Sequence, residues 1–148
     1  MIKPKIENIM TENAIEPLPE QVKAFLANHP DGEPVYMLNL LKFKDRATYK
    51  DGEDISGAEA YARYGAAFGK LVTSLNIEGA HSVFGGKMGS WLIGQGEGEW
   101  DAVAIFRYPD AKTMFATVSS EAYRKIHKHR KAGLEGQLLI ACDGGSIF

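Results

Sequence analysis

A single cysteine, Cys142, stands among the 148 residues. No disulfide can close within the chain, and a cysteine-rich metal site is excluded. That scarcity fits a reducing, cytoplasmic compartment. Long apolar runs are missing too. None approaches the roughly 20 residues that cross a bilayer as a helix, so no membrane partner is expected. The first residues, Met1-Ile2-Lys3-Pro4-Lys5-Ile6-Glu7, lack the apolar stretch of a secretory signal. Charge of one sign is also scarce: 17 Lys and Arg against 19 Asp and Glu leave a net charge of -2. Phosphate binding needs a basic surplus, so nucleic acid is not an expected partner.

Familiar catalytic signatures are absent as well. There is no Gly-x-Ser-x-Gly elbow and no His-Glu-x-x-His pair. Gly94-Gln95-Gly96-Glu97-Gly98 lacks the Lys-Ser/Thr ending of a phosphate loop and leads into a strand, so it is a hairpin loop. His127 and His129 are two residues apart and fall on different helix faces, which makes them poor joint ligands. His29 and His81 are isolated. No metal and no cofactor is called for. What remains is 45% apolar and 24% charged, an ordinary globular composition with enough chain for one core.

Residues 1–17 read as a mixed-charge arm, either a short helix or a strap over a neighbouring subunit, and residues 18–148 as one domain. Pro19 suits a first helical turn, with Val22, Phe25 and Leu26 as an apolar stripe. Val35 to Phe43 is a strand. Ser56 and Glu59 form a capping box ahead of a long helix carrying Tyr61, Tyr64, Phe68, Leu71, Val72 and Leu75, with Gly79 as its stop. His81 to Phe84 is a short strand, bulged at Gly85-Gly86 and continuing from Met88 to Ile93. Trp100 to Tyr108 is a third strand. Pro109-Asp110 and Ser120-Glu121 open two further helices, the second ending at Gly133, and Leu138 to Cys142 is the last strand.

Without the first helix, the order is strand, helix, strand, strand, helix, strand. It predicts an α+β fold, the ferredoxin-like split βαβ with an antiparallel sheet and an extra N-terminal helix. The helices of that motif cover one sheet face. Three strands here are apolar on both faces, so the second face also needs cover. A second copy, sheet against sheet, is the economical answer: a homodimer.

Two places carry chemistry. Asn39 is an amide at the centre of an apolar strand, on the same face as Met37 and Leu41. Left unpaired there, it would cost about 1–3 kcal/mol, so either a neighbour or a ligand satisfies it. On the helix from Glu121 to Ala132, the residues Tyr123, Ile126, His127 and Arg130 share a face. Arg130 can hold a carboxylate or an enolate with its fork of donors, or it can bond backbone or a nearby acid. His127 can move a proton near neutral pH. Tyr64 lies mid-stripe on its helix and is the other catalytic candidate. Tyr61 and Trp100 read as packing, and Lys42 as a solvated strand-end lysine.

Asn39-Leu40-Leu41-Lys42-Phe43, Tyr61, Tyr64-Gly65, Trp100-Asp101, Arg107-Tyr108-Pro109, Tyr123 and His129-Arg130-Lys131-Ala132-Gly133-Leu134-Glu135 occur here in one order and spacing. Together they resemble the domain of unknown function 1330 family, from about Pro34 to about Ala141. The resemblance implies a dimeric α+β barrel, in which two ferredoxin-like chains pack their sheets together. The wider superfamily includes cofactor-free monooxygenases of aromatic substrates, lactone isomerases and haem enzymes, and the fold does not choose among them. A proximal haem histidine is not identifiable.

Two functions follow. In the first, a cleft between sheet and helices binds a small polar or aromatic molecule, with Asn39, Tyr64, His127 and Arg130 as its contacts. The chemistry would be that of a cofactor-free oxygenase or isomerase. In the second, the protein is a non-catalytic homodimeric module, and the same side chains form a buried polar network.

Overall fold

The computed structural model describes residues 15–96, 98–145 and 147. The helix-or-strap expectation for the arm lies outside these residues, except at Ile15, Glu16 and Pro17. The extra helix α1 spans Pro19–Asn28, with Pro19 in its first turn. The Gln21 side chain accepts from the Leu18 N–H at 2.9 Å and so closes the helix start. α1 buries no residue fully, but Phe25 packs against the core.

The central strand β1 spans Val35–Phe43. α2 runs Gly57–Ser74, and the Ser56 hydroxyl accepts from the Glu59 N–H at its start. Its stop differs from expectation. The helix ends at Ser74, and Asn76 takes the left-handed turn at φ 51. Gly79, also at positive φ, sits beyond that turn. β2 is His81–Lys87 and β3 is Ala102–Tyr108. α3, Ala111–Val118, is capped by Asp110, which accepts from Thr113 N–H with one oxygen and from Gly32 N–H with the other. α4, Glu121–Gly133, is capped by Ser120 and passes directly into β4, Leu134–Asp143.

The four strands form one sheet in the order β2-β3-β1-β4, and every pairing is antiparallel. This is the expected ferredoxin-like arrangement. β3 starts at Ala102 rather than at Trp100, and three further details differ. The irregularity in β2 falls between Ser82 and Phe84, not at Gly85-Gly86. Met88 to Ile93 is not strand: the ladder ends at the Lys87–Ala102 pair, and past it the Met88 N–H still donates to Asp101 O at 2.9 Å. The last strand starts four residues earlier than expected, at Leu134.

Alternation sorts the sheet into two faces. Val35, Met37 and Tyr108 join Phe68, Leu71 and Val72 of α2 and Tyr123 of α4 in the core. Asn39 and Leu41 lie on that same face, opposite Ala104 and Ala102 of β3. The other face carries Leu38, Leu40, Val103, Ile105, Leu138 and Ile140, paired across the three strands. These side chains belong to no core cluster among the described residues, and Ile140 is 47% exposed.

α4 meets α2 at a close crossing. A side chain on Gly133 would lie 2.5 Å from the Gly57 carbonyl oxygen and 2.9 Å from the Tyr61 nitrogen. Lys44 stitches the junction, donating from its N–H to Gly133 O and accepting from Gly57 N–H. The crossing sets α4 beside the start of α2 and brings Arg130 and Tyr61 into one neighbourhood.

Candidate functional site

The amide of Asn39 is fully engaged. Its nitrogen donates to the carbonyls of Met37 and Ala104, each at 3.1 Å. Its oxygen accepts from Gln137 Nε2 at 2.6 Å. Gln137 is buried on β4, and its own carbonyl oxygen accepts from an Arg130 terminal nitrogen. Asn39 and Arg130, 91 positions apart in sequence, are therefore one residue apart in the network.

The Arg130 side chain is only 11% exposed. Its NH2 also donates to the Ile15 carbonyl. Its NH1 lies 3.6 Å from Glu16 Oε1 and 3.4 Å from His127 Nε2. The same Glu16 oxygen is 3.2 Å from His127 Nε2. One ring nitrogen thus faces both a donor and an acceptor. It accepts from Arg130 when unprotonated and donates to Glu16 when protonated, and it cannot do both. Burial pulls the imidazole below its usual range. Arg130 and Lys131 add to this, and Glu16 opposes it. The ring is accordingly neutral at pH 7.

Tyr64 reaches this cluster through Tyr123. Their hydroxyls are 3.0 Å apart, and the Tyr123 ring lies 5.8 Å from that of His127. The Tyr61 ring packs tilted against that of Tyr64 at 5.3 Å, and the Phe43 ring against that of Tyr61 at 5.4 Å. Burial raises the Tyr61 phenol to about 12 and lifts Tyr64 far above its ordinary value. Both stay neutral at pH 7. They can donate hydrogen bonds, and they are not bases.

All four sequence-derived residues therefore meet in one chain of contacts, Tyr64–Tyr123–His127–Arg130–Gln137–Asn39. Gln137 was not foreseen, since it precedes the expected strand start at Leu138. Alternation back from Ala141 places it on the Asn39 face. Glu16 and Ile15 left no local signal, because their contacts span more than 100 residues. His129 points elsewhere, bonding Tyr49 at 2.6 Å, and Lys42 pairs with Asp101 at 3.4 Å. Among the described residues, no three His, Cys, Asp or Glu side chains are grouped to hold a metal. No helix among them is long and apolar enough to cross a membrane. A pocket of about 220 Å³ is lined by Met88–Ile93 alone. It shares no residue with the polar cluster and offers no titratable group.

No curated protein matches the chain. Among solved structures, a Rhodopseudomonas palustris protein of unknown function is 34% identical, with a TM-score of 0.79 over 91% of this chain and 99% of its own. A hydroxynitrile lyase from Passiflora edulis shares the fold at 8% identity, with a TM-score of 0.56 over 79% of this chain and 98% of its own. A dimeric protein of unknown function and ferredoxin-like fold from Bacteroides fragilis does so at 11% identity, with a TM-score of 0.50 over 74% and 95%. A family model described as a domain of unknown function (DUF1330) matches residues 34–143, and the chain belongs to that family.

Proposed function

We propose that a small molecule with an anionic head, a carboxylate or an enolate, and an apolar or aromatic body binds beside Arg130, in a cleft that opens between sheet and helices. The observation that carries this is the environment of Arg130. A guanidinium does not lose its charge on burial, so it must be answered by an anion or by carbonyls. Here the answering carboxylate, Glu16, comes from ahead of α1 and is itself 56% exposed. The aromatic wall of Tyr61, Tyr64 and Tyr123 beside it suits an apolar body. Chemistry at such a site is proton transfer next to a held anion, as in a cofactor-free oxygenase or isomerase. His127, neutral at pH 7, is the base, and Tyr64 is a hydrogen-bond donor. The Passiflora lyase lends the fold alone. Calorimetry with benzoate tests the binding. It should bind the wild type and lose that binding in Arg130→Gln, whereas binding indifferent to Arg130 would sink the reading.

A second reading has its own support. Every polar atom of the Asn39 side chain is satisfied within the chain, as in a network that only fixes sheet-to-helix packing. On that reading Arg130→Gln costs stability, and no carboxylate binds.

Both readings include a homodimer. The apolar sheet face that joins no core cluster among the described residues supports it, and the Bacteroides protein of the same fold is described as dimeric. A cytoplasmic location is part of the same reading, supported by a lone, exposed Cys142.

A further inference from the structure

Ile15 and Glu16 occupy one edge of the Arg130 guanidinium. The Ile15 carbonyl takes a donor from NH2, and Glu16 Oε1 faces NH1 at 3.6 Å. Two oxygens, one on each terminal nitrogen, are what a bidentate carboxylate presents to an arginine fork. The remaining NH2 donor goes to Gln137, which is tied to Asn39. The fork is therefore aimed from the sheet side whether or not Ile15 and Glu16 are in place. Among the described residues, those two meet Arg130 through one backbone carbonyl and a half-hydrated carboxylate at ion-pair distance, whose oxygen also lies 3.2 Å from His127 Nε2. Arg130, only 11% exposed, needs oxygen partners in every state of the protein.

We propose that Ile15 and Glu16 are a built-in substitute for the ligand's carboxylate: they cap Arg130 when no ligand is bound, and a monocarboxylate with an apolar body displaces them. This rests on the cleft reading above and adds a gate to it. The segment ahead of α1 competes with the ligand for the same two donors. The observed affinity is the intrinsic affinity reduced by the fraction of time the cap is closed. The gate also selects, because a ligand with a single oxygen replaces only half of what it removes.

Calorimetry with benzoate, and with benzamide as the uncharged control, tests the gate in full-length wild type, Glu16→Gln and Glu16→Ala. Removing the carboxylate should tighten benzoate binding about tenfold or more, as for a cap closed at least nine-tenths of the time. Benzamide should change far less. In the wild type, benzoate should shift the NMR resonance of the Ile15 carbonyl carbon, which loses its Arg130 donor. Equal benzoate affinity in all three proteins, or an Ile15 carbonyl resonance that does not move, would overturn the gate and leave the cleft intact. No benzoate binding even in Glu16→Ala would overturn the cleft, and the gate with it.

Discussion

His127 is where the charges of the site are decided. Its Nε2 lies between Arg130 and Glu16, and burial disfavours its charged form. With a folded-state value below the unfolded one, the unfolded chain binds a proton first as pH falls. The contribution of this ring to stability is therefore complete above about pH 6.5 and is lost as the pH drops below it. His129, also lowered by burial, acts in the same direction. Urea midpoints should fall between pH 7 and pH 5, and the fall should be smaller in a His127→Gln variant. Because Glu16 raises the ring's value, Glu16→Ala should lower it further, as read by NMR titration of the imidazole. Asn39 shows the opposite kind of residue, one with every partner in place. Asn39→Ala strands the Gln137 amide and should cost about 1–3 kcal/mol in urea unfolding. Asn39 announced itself in the sequence because one amide in an apolar strand is conspicuous. Glu16 did not, because an acid in a mixed-charge segment looks the same whether solvated or spanning the fold.

At the scale of elements, β1 and α4 were legible because their patterns have clean periods. β1 alternates apolar residues around Asn39, and α4 repeats Tyr123, Ile126, His127 and Arg130 on one face. Caps at Ser56, Asp110 and Ser120 marked three helix starts through side chains that do accept the expected N–H groups. The start of β4 was hidden. Gly136 interrupts the apolar alternation, and the helix runs into the strand with no turn between them. What joins α4 to β4 there is a packing demand rather than a turn signal. Gly133 sits where its Cβ would strike the Gly57 carbonyl at 2.5 Å, and both contacting groups are backbone with no rotamer to yield. Gly133→Ala should therefore cost about 1–3 kcal/mol, as overpacking does. It should also shift the NMR resonances of Tyr61 and Arg130, which the crossing holds together. A change at a solvent-facing glycine such as Gly65, where a Cβ meets nothing within 4 Å, is the control.

For the whole molecule, the sheet has one face in the core and one whose side chains, among the described residues, join no core cluster. Leu38 and Ile105 are paired across β1 and β3 on the second face, with Ile140 of β4 beside Leu38. Single exposed apolar residues are ordinary, but these half-buried side chains run contiguously across three strands to the exposed Ile140, as at a face that a second layer covers. The chain should sediment as a dimer at micromolar concentration, and Leu38→Glu should yield a folded monomer. A wild-type monomer under those conditions would leave the apolar face unexplained. The sequence carries the same expectation, since apolar residues on both faces of β1 and β3 need two layers of cover and the helices supply one.

The claim on which the rest depends is that Arg130 is a carboxylate site which the chain itself caps. A crystal structure of the protein with benzoate addresses it most directly. The predicted result is the benzoate carboxylate on both terminal nitrogens of Arg130, its ring against Tyr61 and Tyr64, Glu16 moved away, and the Gln137–Asn39 bonds unchanged. Arg130 still bound to Ile15 and Glu16, with no benzoate beside the tyrosines, would contradict it.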